Sequence, residues 1–229
     1  MGRSPFPKGF TVADFLKHLG DMPPHRVRIN PPPGEATERD VLKILDHENR
    51  LFELVDGTLV EKPTGVLESC LAGEINRWLG NYVEEHDLGI LTVPDGTLRL
   101  MPGLVRMPDV AFISWKQLPN RKLPNEPIAS LIPELAVEVL SESNRRGEME
   151  RKLREYFFTG TQLVWIVDPV QRIVDVHTAP DRFTRLKEGH VLDGGDLLLG
   201  FELPLERLFA RVERTQTRRR RTRRRRGDQ

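Results

Sequence analysis

Three residues whose side chains suit phosphodiester chemistry occur in order along the chain: Asp109, Glu138 and Lys152. Hydrolysis of a phosphodiester needs a divalent cation against the scissile phosphate, a water in line for attack, and positive charge for the transition state. Carboxylate oxygens are the ligands that Mg²⁺ prefers, and a lysine can orient the water or stabilise the developing charge. The residue types therefore indicate a candidate site for metal-assisted hydrolysis.

Glu138 carries the strongest local signal, because it lies among apolar residues in the stretch ELAVEVLS. The alternation of Leu135, Val137 and Val139 predicts a strand. A carboxylate inside a core-forming strand costs several kcal/mol unless it is paired or bound to a metal. If that face of the strand is wet, Glu138 is an ordinary surface residue, and the alternation alone leaves both interpretations open.

The other two residues are less distinctive on their own. Asp109 follows Pro108 at the start of the strand-like run PDVAFIS, and a Pro-Asp pair often only opens a strand or a turn. Lys152 lies in a predicted helix beside Arg151 and Arg154, so a solvated helix residue is the alternative to a site residue. Neither position establishes a site without a further signal.

The elements that must position these residues alternate between helices and strands. Hydrophobic periodicity and turn residues predict helices at 11–19, 37–48, 66–86 and 144–158, a hairpin at 51–62 around Asp56-Gly57, strands at 89–93, 97–100, 108–114, 134–141, 163–169 and 172–177, further short strands up to 203, and a helical turn at 205–209. This order predicts the α/β class, with a mixed sheet flanked by helices and extra β-hairpins.

Length and composition predict one folded body with an extension at each end. We expect residues 1–50 to form a helical extension and residues 51–210 the main domain. No apolar stretch approaches the roughly 20 residues that a membrane span requires. The N-terminus lacks the apolar region of a secretory signal, and a single cysteine forms no internal disulfide, so we expect a cytoplasmic location. That cysteine, Cys70, fits the buried face of the helix at 66–86.

The chain ends in an arginine-rich tail, residues 211–229. Ten arginines against Glu213 and Asp228 give the tail a charge of +8, and since the whole chain carries +1, residues 1–210 carry −7. This composition predicts a tail that is disordered in isolation. Arginines at this density bind polyphosphates without sequence preference, through counterion release. The predicted nucleic-acid contacts are Arg218, Arg219, Arg220, Arg221, Arg223, Arg224, Arg225 and Arg226. A solvated tail without such a role is the alternative.

Taken together in their order and spacing, several stretches resemble the Uma2 family of bacterial restriction-endonuclease-like proteins, which belongs to the PD-(D/E)XK nuclease superfamily. The resemblance covers roughly residues 51–209. The matching stretches are Phe52–Gly57, Pro108–Val110, Leu135–Ser141 with Ser143-Asn144, Lys152, Tyr156 and Val164–Pro169.

This resemblance implies a restriction-endonuclease-like core that binds Mg²⁺ or Mn²⁺. Asp109 matches the first acid of the superfamily motif and Glu138 the second, and the backbone carbonyl of Val139 would complete the metal shell. Leu140 stands where the simplest form of the motif has its lysine. Lys152, on the following helix, matches a displaced lysine, and a helix packed over the strand can project an ammonium toward the same phosphate.

The resemblance also matches Glu53 to the additional acid that many superfamily members place near the metal, with an exposed strand residue as the alternative. The expected function is a metal-dependent endonuclease acting on DNA. A homodimer would supply two related sites for cutting both strands. Two other functions stay open: an inactive nucleic-acid-binding or interaction module that keeps the fold, and a nuclease acting on RNA or repair intermediates. The retained acids favour an enzyme over the inactive module.

Overall fold

The structure is a computed structural model that describes residues 7, 9–63 and 65–210. The helices in this range are α1 (Val12–His18), α2 (Glu38–Glu48), α3 (Val66–Glu85) and α4 (Arg146–Thr159), with a further helical segment at 205–210. No helix in the described part of the chain is both long and apolar enough to cross a membrane. The predicted disordered tail, with its phosphate-contacting arginines at 218–221 and 223–226, lies outside the described residues.

The strands form two larger sheets and one separate hairpin. In chain order they are β1 (Phe52–Val55), β2 (Thr58–Glu61), β3 (Gly89–Thr92), β4 (Leu98–Met101), β5 (Leu104–Arg106), β6 (Val110–Ser114), β7 (Leu135–Val139), β8 (Leu163–Asp168), β9 (Ile173–Ala179), β10 (Arg182–Lys187), β11 (Val191–Gly194) and β12 (Leu198–Pro204). The larger sheet has the order β10-β9-β8-β7-β6-β3. Strands β7 and β8 run parallel, because α4 connects them, and the other neighbours are antiparallel. The predicted mixed sheet flanked by helices is confirmed.

The two faces of this sheet are covered by different elements. Val110, Val137 and Trp165 lie in the core that contains α3 and the β11–β12 hairpin. Ala136 and Ile166, which alternate with those residues, lie in the core that contains α4. Since side chains alternate along a strand, the residues next to Val110 and Val137 on the same strands face α4.

The smaller sheet has the order β2-β1-β5-β4 and is antiparallel throughout. One face shares the core with α4, and α2 covers the other face through Val41 and Ile44. The sequence analysis did not predict β5, since a three-residue strand is too short to show alternation. The α4 helix thus has a sheet on each side, and both sheets can direct side chains toward it.

The prediction that Cys70 lies in the core is wrong, because its side chain is exposed. The buried stripe of α3 follows Leu71, Ile75 and Leu79 at intervals of four residues. Cys70 precedes this stripe by one residue, which turns it about 100° around the helix axis. The apolar character of cysteine, rather than its helical position, led to the error.

The N-terminal segment forms α1, a short 3₁₀ helix at Pro24–Arg26, and α2. Both α-helices begin at the threonine expected from the sequence: Thr11 and Thr37 each form a capping box with the aspartate three residues later. Division of the chain at residue 50 stays a prediction.

Candidate active site

Asp109 and Glu138 lie side by side on adjacent strands of the larger sheet. Val110 pairs with Val137 in the antiparallel ladder, so the preceding and following residues, Asp109 and Glu138, are also neighbours. The Glu138 side chain faces α4, and Asp109, directly before β6, and Glu138 are 8% and 5% exposed. The Oδ2 atom of Asp109 accepts a hydrogen bond from the backbone N–H of Val139 at 2.7 Å. A wet strand face is therefore excluded for Glu138.

The α4 helix brings Lys152 and Tyr156, one turn apart, onto Glu138. The Lys152 ammonium is 3.0 Å from each carboxylate oxygen of Glu138 and 3.2 Å from Oε1 of Glu53. The Tyr156 hydroxyl donates to Oε1 of Glu138 at 2.7 Å. Lys152 is 3% exposed, which excludes the interpretation as a solvated helix residue.

Glu53 extends the site from the smaller sheet. Glu53 is buried in β1, so the alternative that it is an exposed strand residue is excluded. Its Oε2 accepts a hydrogen bond from Arg106 at 2.6 Å, and its Oε1 accepts one from the backbone N–H of Met107 at 3.2 Å. Arg106 also contacts Glu155 of α4, at 2.9 Å between Nε and Oε2. The carboxylate of Glu53 thus stands at the junction of β1, β5 and α4.

Sequence reasoning missed two basic residues of the site, Lys62 and Arg106. The Lys62 ammonium lies 2.8 Å from Oδ1 of Asp109 and also donates to the backbone carbonyl of Met107. Arg106 had a usable signal, because it stands among apolar neighbours just as Glu138 does. Lys62 had none, since it follows the alternating hairpin strand β2, where a charged residue is unremarkable.

Together these residues form a buried charge cluster with as many positive as negative formal charges. Its members are Glu53, Lys62, Arg106, Asp109, Glu138 and Lys152. Each carboxylate contacts at least one cation of the cluster. Such compensation is required, because an unpaired charge at this depth would be strongly destabilising.

The two glutamates that share Lys152 are held in different electrostatic environments. Burial raises the pKa of Glu138, and the negative charges of Asp109 and Glu53 raise it further, against the opposing effect of Lys152. Burial also raises the pKa of Glu53, but the positive charges around it outweigh burial, so its pKa lies below the usual range. Burial and the Glu138 carboxylate raise the pKa of Tyr156, which keeps its hydroxyl a hydrogen-bond donor.

The oxygen atoms of the site meet some of the requirements of a hard divalent cation. Within the described ranges, no three His, Cys, Asp or Glu side chains converge closely enough to hold a metal ion by themselves. Asp109 and Glu138 supply carboxylates on adjacent strands, and the carbonyl of Val139 is next along β7. Burial is the main cause of the raised pKa of Glu138, with smaller contributions from Asp109 and Glu53, and a bound cation would favour the charged carboxylate. Two carboxylates and a carbonyl suit Mg²⁺, which usually keeps several waters.

A groove of about 1090 Å³ runs beside the cluster. It begins at Leu140 and Ser141, directly after β7, and extends along α4 and over β8, β9 and β10 as far as Arg185. Glu138 pairs across the sheet with Ile166 on β8, Ile166 pairs with Asp175 on β9, and Asp175 pairs with Arg185 on β10. The residues that line the groove are neighbours of the cluster along α4 and across the sheet and are not themselves members of it.

Comparison with known proteins gives a family match and similar solved structures. Residues 38–206 match the model of the Uma2 family, described as "Putative restriction endonuclease". The fold is similar to a crystal structure described as "a putative nuclease belonging to DUF820 from Anabaena variabilis ATCC 29413". The two sequences are 18% identical, the match covers 72% of this chain and 92% of that one, and the TM-score is 0.62. No curated protein matches the chain.

Proposed function

Because the chain belongs to the Uma2 family, as the sequence resemblance predicted, we propose that it is a metal-dependent endonuclease that hydrolyses phosphodiester bonds in DNA. The observation that carries this proposal is the position of Glu138, a buried carboxylate beside Asp109 and in contact with Lys152. Buried ionisable groups with perturbed pKa values cluster at functional sites. A protein that only binds nucleic acid does not need this arrangement.

The residues of the cluster would divide the work as follows. Asp109, Glu138 and the Val139 carbonyl would hold Mg²⁺ or Mn²⁺, which supplies Lewis acidity and a water of lowered pKa when bound. Lys152 would orient the attacking water or donate to a phosphate oxygen, and Glu53 would hold the lysine in place from the side of the smaller sheet. Lys62, in contact with Asp109, offers a second ammonium for the phosphate.

We propose that a DNA substrate lies along the groove beside α4, which neighbours the cluster. We propose that the tail arginines at 218–221 and 223–226 add phosphate contacts without sequence preference. A homodimer and a cytoplasmic location complete the proposal. RNA or a repair intermediate remains an alternative substrate for the same site.

One observation favours an inactive nucleic-acid-binding module as the second candidate. Each carboxylate of the cluster already contacts an ammonium or a guanidinium, so a metal ion would have to share or displace these contacts. In that case the cluster would serve only to hold the two sheets and α4 together.

Cleavage of supercoiled plasmid in Mg²⁺, Mn²⁺ or EDTA separates the two functions. We expect nicking in either metal, none in EDTA, and loss of nicking in Asp109→Asn. Asp193→Asn is the matched control, because Asp193 accepts a hydrogen bond within its own turn, from the backbone N–H of Gly195, and lies outside both the cluster and the groove. Retarded migration of DNA without cleavage under any of these conditions would establish the binding module instead, and a parallel assay on RNA tests the alternative substrate.

A further inference from the structure

Arg26 lies outside the residues that match the family model, yet its side chain is buried against α4. Its two terminal nitrogens donate to the two carboxylate oxygens of Glu148, each at 2.8 Å. Both side chains are almost fully buried, at 3% and 2% exposure. A bidentate pair of this kind fixes direction as well as distance.

The remaining contacts of Arg26 reach two more segments of the chain. Its Nε donates to the backbone carbonyl of Glu61 at 2.9 Å, and Nη1 lies 3.4 Å from the carbonyl of Ser143. Glu61 directly precedes Lys62, the residue that contacts Asp109. One guanidinium therefore joins the end of β2, the connection after β7 and the first turn of α4.

Glu148 carries this network into the connection between β7 and α4. Its Oε2 accepts a hydrogen bond from the amide of Asn144 at 3.2 Å. The Oδ1 atom of Asn144 in turn accepts one from the backbone N–H of Ser141 at 2.8 Å. This connection joins Glu138 to Lys152 along the chain. Since Lys152 follows Glu148 by one helical turn, holding Glu148 also holds the turn that presents the lysine.

Backbone packing shows independently that the N-terminal segment rests on the start of α4. A Cβ atom on Gly20 would lie 2.4 Å from the backbone nitrogen of Glu148, and one on Gly147 would lie 2.8 Å from the carbonyl oxygen of Gly20. Arg151 donates from the helix to the carbonyl of His18 at 2.7 Å. The two backbones are in contact at positions where only glycine fits.

We propose that Arg26 is a positioning residue for the buried charge cluster: through Glu148, Ser143 and Glu61 it sets Lys152 and Lys62 against the two carboxylates. The inference rests on the proposed nuclease function for its catalytic consequence. It makes the segment before residue 27 part of the catalytic unit, although this segment lies outside the family match. Residues that orient metal ligands without touching the metal typically contribute about 10- to 100-fold to affinity or activity.

The test compares Arg26→Ala and Arg26→Lys with a control in the full chain. Arg28→Ala is the matched control, because Arg28 forms a bidentate pair with Glu48, at 2.8 and 2.7 Å, on the surface of the same segment. We expect Arg26→Ala to change the affinity for Mn²⁺, measured by titration calorimetry, by about tenfold or more, because the two lysines that Arg26 positions contact the metal-binding carboxylates. The Mg²⁺ concentration for half-maximal cleavage should change by the same factor and in the same direction. Arg26→Lys should fall between Arg26→Ala and the unaltered chain, and Arg28→Ala should match that chain.

These readouts separate positioning from stability once urea unfolding shows that each variant is fully folded in the assay buffer, because reversible unfolding linked to metal binding would also shift the half-saturation. Unchanged half-saturation in Arg26→Ala overturns the proposal. If Arg26→Ala does not fold, Arg26→Lys and Glu148→Gln carry the same comparison.

Hydrogen exchange over residues 141–153 separates failure of this inference from failure of the proposed function. If the unaltered chain cuts no DNA, the proposed function fails, and faster exchange in Arg26→Lys than in Arg28→Ala still supports the positioning role. Equal exchange in those two variants overturns it.

Discussion

Substitution of Glu138 by Gln should destabilise the native protein but stabilise a Lys152→Met variant. In the native cluster the carboxylates and cations balance, so Gln deprives Lys152 of its closest carboxylate. In Lys152→Met the cluster carries one uncompensated negative charge, and Gln removes it. The effect of Glu138→Gln on the free energy of unfolding therefore has opposite signs in the native chain and in Lys152→Met.

The geometry sets the magnitude of this effect. The ammonium and each Glu138 oxygen are 3.0 Å apart, and at an effective dielectric constant of ~20 two unit charges at that distance attract by about 5 kcal/mol before desolvation. Removing one partner of a buried pair costs about 3–5 kcal/mol net, which is the loss we expect for Lys152→Met. Adding Glu138→Gln to that variant should restore about 1–3 kcal/mol, the range for a buried polar group relieved of its penalty.

Urea unfolding at pH 7 in EDTA measures the four free energies of unfolding in this cycle. Lys43→Met is the control for loss of a lysine, because Lys43 pairs with Asp40 while its side chain is 68% exposed, and such pairs contribute about 1 kcal/mol or less. Equal destabilisation by Glu138→Gln in both backgrounds would refute the electrostatic account of the cluster.

Four further predictions concern a histidine, two glycines and the binding of Mg²⁺. Burial lowers the pKa of His177 in the folded state. The neutral imidazole therefore stabilises the fold fully above the pKa of the unfolded chain, about 6.5, and this stabilisation is lost as the pH falls through the folded pKa. His177→Gln should make the melting temperature depend less on pH, and an unchanged dependence would contradict this. Gly20→Ala should destabilise the fold by more than about 1 kcal/mol in thermal unfolding, because φ is +84° and the backbone of Glu148 is in the way. Gly73→Ala should instead stabilise it by about 0.5–1 kcal/mol, since the added methyl group meets nothing within 4 Å. Mg²⁺ should raise the melting temperature of Lys152→Met more than that of the native chain, because the ion replaces the missing positive charge; equal shifts would argue against a metal at the cluster.

Strong periodicity made the elements that carry the site predictable from the sequence. The alternation in β7 and the helical pattern of α4 involve enough residues to separate strand from helix. Alternation also identified Glu138 as a charged residue among apolar neighbours. It could not show whether the Glu138 side chain faces solvent or is buried with a charged partner. That choice depends on α4, which covers this face of the sheet and supplies Lys152.

The ion pairs of Arg26 and Arg106 could not be predicted, because the partners are distant in the sequence. Arg26 and Glu148 are 122 residues apart, and Arg106 and Glu53 are 53 apart. No local pattern encodes such pairs. Family resemblance supplied Asp109 and Lys152 only because both lie within the matching motifs.

The rate of Mg²⁺-dependent DNA cleavage by Glu138→Gln, compared with Glu134→Gln, tests the central claim most directly. Glu134 is also buried next to β7, but it accepts hydrogen bonds from Ser114 outside the charge cluster, at 2.6 and 3.0 Å. If Glu138 holds the metal, its substitution should reduce the rate by about 100-fold, while Glu134→Gln, once shown to be folded, stays close to the native rate. Equal rates for the two variants would contradict the assignment of the active site.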